Sequence, residues 1–187
     1  MPPKVKITKE SIVSAAVELV RKSGAESLNA RAIASALNCS TQPIFSNFST
    51  MEEIRNAVIE EAENICEAYL RNELKKEIYP EYKANGMGYI RFAKEEKELF
   101  KFLYMRSRSK EAMAEDNRLF NQMEDVVHSA TGLNQDGSRL FHLEMWAYVH
   151  GIACMFATGF LELEWALTEK MLTDAFLGLK KQYGTEE

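Results

Sequence analysis

Apolar positions recur along most of this chain at spacings of three and four, the period of helices with one buried face. Ile12, Val13, Ala16, Val17 and Val20 mark a first helix, expected from about Thr8 to Ser23. Thr8 suits its N-cap and Gly24 its stop. Ala30, Ile33, Ala34 and Leu37 mark a short second helix, which Asn29 can cap. Asn38-Cys39-Ser40 interrupts the pattern, and Asn tolerates the left-handed conformation better than most residues with a side chain. A third short helix is expected over 41–48, with Ser40 as its cap and Pro43 in its first turn, where a missing N–H costs nothing. Ser49 or Thr50 then opens a long fourth helix. Thr50-Met51-Glu52-Glu53 has capping-box spacing, and the two carboxylates suit a helix N-terminus. This helix is expected to run to about Tyr79 and to stop before Pro80.

Further helices are predicted near 81–95, 96–107, 111–130, 137–161 and 165–182. Breaks are expected at Thr131-Gly132-Leu133-Asn134 and Gly137, with looser ones at Asn85-Gly86-Met87-Gly88 and around 107–109. The stretch 137–161 is apolar around much of its circumference, from Leu140 and Phe141 to Phe156 and Phe160, and reads as a helix buried on several sides. No run alternates with period two between turn signals. The fold class is therefore all-α: a small N-terminal bundle over 1–50 and a larger helical body over 51–187, with 51–79 as the linking helix.

The composition, 46% apolar over 187 residues, allows a sizeable core. Cys39, Cys66 and Cys154 are scattered and form no CxxC pair, which suits reduced thiols in the cytoplasm. Met1-Pro2-Pro3-Lys4-Val5-Lys6 has no apolar core of a signal peptide, and 145–161 is short for a bilayer span, so neither secretion nor a membrane is expected. Charge is unevenly placed. Residues 1–50 carry six Lys/Arg against three Glu, and the remainder carries 17 basic against 25 acidic residues. A basic head on an acidic body suits an N-terminus that meets phosphates.

Residues 27–48 hold the strongest functional signal. Two short helices joined by a tight turn, the second opening with small polar residues, have the layout of a DNA-binding helix-turn-helix. Thr41 and Gln42 are the exposed candidates for base contact. Gln can bond adenine bidentately, while the Thr methyl and the Pro43 ring can touch a thymine methyl. Ile44 and Phe48 would anchor the helix from within.

In order and spacing, residues 9–54 resemble the DNA-binding domain of the TetR family. The segments that carry the likeness are Ile12-Val13-Ser14-Ala15-Ala16, Gly24, Asn29-Ala30-Arg31-Ala32-Ile33-Ala34, Asn38 to Phe48, and Thr50-Met51-Glu52-Glu53-Ile54. The resemblance implies a transcription regulator that binds a double-stranded DNA operator through Lys6, Asn29, Arg31, Ser40, Thr41, Gln42, Pro43, Phe45 and Asn47. Four positions depart from the family's pattern. Asn38 stands where its turn glycine does, Phe45 for its phosphate-binding tyrosine, Asn47 for its histidine, and Met51 for a lysine. Phe45 and Met51 remove two backbone contacts, which implies either softer affinity or compensation by Lys4, Lys6, Lys9 and Arg31. Trp146-Ala147-Tyr148-Val149-His150-Gly151 resembles the W-x-x-x-H-G stretch in one group of the family's C-terminal domains. That likeness implies a homodimer built on about 137–161 and 165–182, and hence an inverted-repeat operator.

The body would then serve ligand binding and dimerisation. Phe92, Phe100, Tyr104, Met105, Phe120, Met123, Met145 and Trp146 are the candidates for lining a small-molecule effector cavity, with ordinary core as the competing role for each. An effector would act by shifting the fourth helix and releasing DNA. No HExxH, Cys/His cluster, phosphate loop or dinucleotide fingerprint appears, so neither enzyme, metal nor cofactor is indicated. His128, His142 and His150 read as capping, core or interface residues, and Cys66 and Cys154 as small buried hydrophobes. Phe45 and Met51 best support an alternative: a helical ligand-binding or scaffold protein with weakened DNA binding.

Overall fold

The structure is a computed structural model; it describes residues 7–106 and 123–184, and Lys6 and Phe120 lie outside them. Among the described residues every regular element is helical. Helix α1 is Lys9–Ser23, followed by a single 3-10 turn at Ala25–Ser27. Helices α2 (Ala30–Ala36), α3 (Gln42–Asn47) and α4 (Met51–Leu74) come next. Helix α5 spans Glu81–Glu95 and α6 spans Lys97–Tyr104. The described part of α7 covers 123–131. Helices α8 (Gln135–Thr158) and α9 (Trp165–Gln182) follow.

Local chemistry explains most of these limits. Thr8 and Ser11 exchange a capping box: Ser11 N–H donates to Thr8 Oγ1 at 3.2 Å and Thr8 N–H to Ser11 Oγ at 3.0 Å. Gly24 ends α1 at φ 75. Glu53 N–H donates to Thr50 Oγ1 at 3.1 Å, while the Glu53 carboxylate reaches one residue further back, to Ser49 N–H at 2.8 Å. Asn134 caps α8 by accepting from Gly137 N–H at 2.9 Å, so Gly137 lies in the first turn and not at a break.

Three further sequence expectations are corrected. Helix α4 ends at Leu74 instead of Tyr79. Its end tightens through bonds such as Lys76 N–H to Glu73 O at 3.3 Å, and Glu77 then takes φ 53. Pro80 acts on the next helix, its carbonyl accepting from Ala84 N–H at 2.9 Å. Helix α5 runs unbroken through Asn85-Gly86-Met87-Gly88. Gly88 is there for close approach: a Cβ on it would stand 2.9 Å from Leu70 Cα. Helix α8 stops at Thr158 rather than 161, because Gly159 turns left-handed at φ 68 and Phe160 N–H folds back to Met155 O at 3.1 Å.

The chain divides into two compact units. One comprises Met1–Glu67 with Glu96–Arg106, the other Ala68–Glu95 with Ser107–Glu187. The first unit gathers α1–α3, most of α4, and α6. Its core holds Ile12, Val20, Ile33, Ile44, Ile54, Val58, Leu99 and Phe100, all fully buried. In the second unit α5 lies along α8, with Ile90, Phe92, Phe141, Ile152 and Phe156 buried. Two similar polar pairs join those helices: Tyr82 Oη is 2.9 Å from His142 Nδ1, and Tyr89 Oη is 2.9 Å from His150 Nδ1.

Candidate nucleic-acid interface

The interface is built from the turn outward. Asn38 takes φ 50, and the turn closes through Cys39 N–H to Ala34 O at 2.9 Å. The chain therefore leaves α2 sharply and enters α3 with Thr41 at the cap position, Gln42 first and Pro43 second. Ser40 does not cap α3, and Thr41 makes no side-chain cap bond either. Both hydroxyls are consequently unspent on the helix end. Ile44 at 0% and Phe48 at 7% exposure fasten α3 to the core of its unit. Opposite them, Ser40, Gln42, Phe45 and Ser46 are exposed, and Thr41 and Pro43 half-exposed.

The other sequence candidates divide by the bonds they make. Asn29 caps α2, accepting from Ala32 N–H at 2.9 Å, and its amide donates to Ser27 O at 3.2 Å. Arg31 is exposed in the first turn of α2. Asn47 was expected to donate to a phosphate or base. Its amide nitrogen instead bonds Pro43 O at 2.8 Å and Ile7 O at 3.4 Å, tying α3 to the segment before α1. Phe45 presents a ring that is 47% exposed. Arg21 is turned away from service to a ligand. It donates to Glu96 at 2.7 Å and pairs with Glu18, and the bond to Glu96 raises its pKa further.

The expected effector residues among the described ones fall in both units. Phe100, Tyr104 and Met105 belong to the unit that carries the helix-turn-helix, whereas Phe92, Met123, Met145 and Trp146 belong to the other. Phe92 and Phe100 are fully buried and Met145 nearly so, packed as core. Tyr104 is half-buried, its ring 5.1 Å from Phe100 and its hydroxyl 3.8 Å from the Cys66 thiol. Met105 and Trp146 are exposed. Burial pushes the Cys66 thiol up to about 12, which leaves it inert. Cys154, read from sequence as a buried hydrophobe, is instead half-exposed and lies 3.4 Å from His150 Nε2. Their four-residue spacing on one helix was the available signal. No helix among the described residues is long and apolar enough to cross a membrane, and none of those residues form a group of three or more His, Cys, Asp or Glu able to hold a metal.

A short helix presenting polar side chains beyond a left-handed turn, on an all-α framework, defines the helix-turn-helix class of regulators. Residues 82–176 match the family described as tetracyclin repressor-like, C-terminal domain. The chain belongs to the TetR family and is a DNA-binding transcription regulator, not an enzyme. No curated protein matches it. Solved structures share its fold. A TetR-like transcriptional regulator from Rhodococcus sp. RHA1 superposes with a TM-score of 0.67 at 15% identity, covering 100% of both chains. A protein of unknown function from the same organism gives 0.74 at 18% identity, over 97% of this chain and 98% of that one. A TetR family protein from Vibrio parahaemolyticus gives 0.62 at 14% identity, over 93% and 97%.

Proposed function

We propose that the chain is a homodimeric repressor that binds an inverted-repeat operator and is released by a small apolar or aromatic effector. The display of Thr41 and Gln42 at the exposed start of α3, with Ile44 and Phe48 holding its other side, carries the reading. Thr41, Gln42 and Pro43 read base edges. Ser40, Arg31 and Lys6 serve the backbone, Asn29 and Asn47 hold the frame, and Phe45 offers an apolar contact to sugar or thymine methyl.

Support for the dimer comes from an uncovered row on α8 and α9. Leu140 and Leu143 on α8 are about half exposed, as are Leu167 and Leu177 on α9. Among the described residues, no group from outside the helix backbone and the adjoining residues lies within 4 Å of where a Cβ would stand at Gly151 or Gly178, so backbone is open to close approach there. Exposed apolar rows of this kind favour a self-complementary two-fold contact.

The effector would bind in the second unit, near Met123, Met145 and Trp146. Helix α4 supplies residues to both units, through Glu67 to one and from Ala68 to the other, and so suits a transmitter. Release requires an effector that prefers the DNA-incompetent arrangement.

A gel shift against the DNA flanking its own gene tests the reading. Binding at about 10 nM or tighter to one fragment, against micromolar binding to unrelated DNA, is expected. Equal affinity for both would favour the helical scaffold reading, for which the exposed Phe45 phenyl and the occupied Asn47 amide speak.

A further inference from the structure

His150 and Cys154 turn their donor atoms toward one another from successive turns of α8, with Nε2 and Sγ 3.4 Å apart. Two ligands of one tetrahedral zinc ion, with bonds of about 2.0 and 2.3 Å, stand about 3.5 Å from each other. The imidazole is also held in place. Tyr89 Oη lies 2.9 Å from Nδ1, and the Trp146 ring stacks on the imidazole with centroids 4.8 Å apart and planes inclined by 11°. In the tautomer protonated at Nδ1, that nitrogen donates to the Tyr89 oxygen and the Nε2 lone pair faces the Cys154 sulfur, the usual outer-shell arrangement of a metal-binding histidine.

Two ligands do not hold zinc, and no third His, Cys, Asp or Glu joins them among the described residues. The missing ligands have a natural source. Cys154 is half-exposed one turn beyond Gly151, where the helix surface is open, on the row with Leu143 and Ala147. A second chain laid on that row would bring its own pair to the same place.

We propose that His150 and Cys154 form half of a Cys2His2 zinc site, completed by the same two residues of a second copy of this chain. The proposal rests on the dimer through α8 and α9. Each ion displaces one proton from each of two thiols and ties the copies together.

The test uses the full chain, freed of metal by a chelator and titrated with cobalt(II) as the probe. Mass is followed by light scattering, and folding by circular dichroism. One cobalt per two chains is expected, with visible bands of tetrahedral cobalt and thiolate-to-cobalt charge transfer. Cys154→Ser should abolish the charge transfer while leaving the protein folded and dimeric. Tyr89→Phe should weaken cobalt binding about 10- to 100-fold, and Cys39→Ser should change nothing. A dimer that takes up no cobalt, or binds it without charge transfer, overturns the zinc site and leaves the dimer standing. A monomer at all concentrations overturns both.

Discussion

The Glu73 carboxylate is only 2% exposed and accepts from Arg91 Nε at 2.9 Å, with Lys76 Nζ at 2.6 Å as a second partner. Burial alone would raise its pKa, yet the hydrogen bonds from Arg91 and Lys76 outweigh that and hold it below the ordinary carboxylate value. A depressed folded pKa contributes stability above the unfolded value, which is lost as pH falls through the folded one. Arg91→Ala leaves a buried charge with one partner and should cost about 2–3 kcal/mol near neutral pH. Without Arg91 the carboxyl protonates more readily, so the penalty should shrink near pH 4. Urea unfolding of both proteins at the two pH values checks this.

The two glycines inside α5 should respond oppositely to the same change. In Gly88→Ala the new methyl meets backbone, 2.9 Å from Leu70 Cα and 3.1 Å from Tyr69 O. The strain should cost about 1–3 kcal/mol and exceed the gain of about 1 kcal/mol in helix propensity. In Gly86→Ala the neighbours are side-chain tips, Leu172 Cδ2 at 3.2 Å and Val149 Cγ2 at 3.6 Å, which can yield. That variant should be neutral or slightly more stable. Thermal melts of both separate close packing from flexibility as the reason for the pair.

Those glycines show where sequence reading stopped. Local signals carried the helix-turn-helix. The Thr8 cap, the Gly24 stop, the left-handed Asn38 and the buried Ile44 are all set by residues within a few positions of each other. Gly86 and Gly88 resemble a break in one dimension, because their reason lies on other helices. The same limit applies to the effector candidates. Periodicity shows that Phe92 and Phe100 are buried, but not that they belong to different compact units. Asn47 was placed on the correct helix, but its bond to Ile7 O spans 40 residues and no local pattern announces it.

The Tyr82–His142 pair predicts an acid-sensitive second unit. Burial holds the His142 pKa below its ordinary value near 6.5, so the folded state favours the neutral ring. Between the folded pKa and about 6.5 the unfolded chain binds more protons, and stability therefore falls as pH drops through that window. The melting temperature should decline from about pH 7.5 to 5.5, and His142→Gln should flatten the decline. An equally steep slope in the variant would assign it to other groups.

DNA recognition by α3 is tested most directly by binding curves of the wild type, Gln42→Ala and Arg31→Ala on the operator and on operators altered one base pair at a time. Gln42→Ala should lose about 1–3 kcal/mol of discrimination at a single base-pair position in each half-site and keep its dependence on salt. Arg31→Ala should weaken binding to every sequence alike and lower the salt slope by about one. An unchanged base preference in Gln42→Ala, with Thr41→Ala equally silent, would contradict the placement of α3 in the groove.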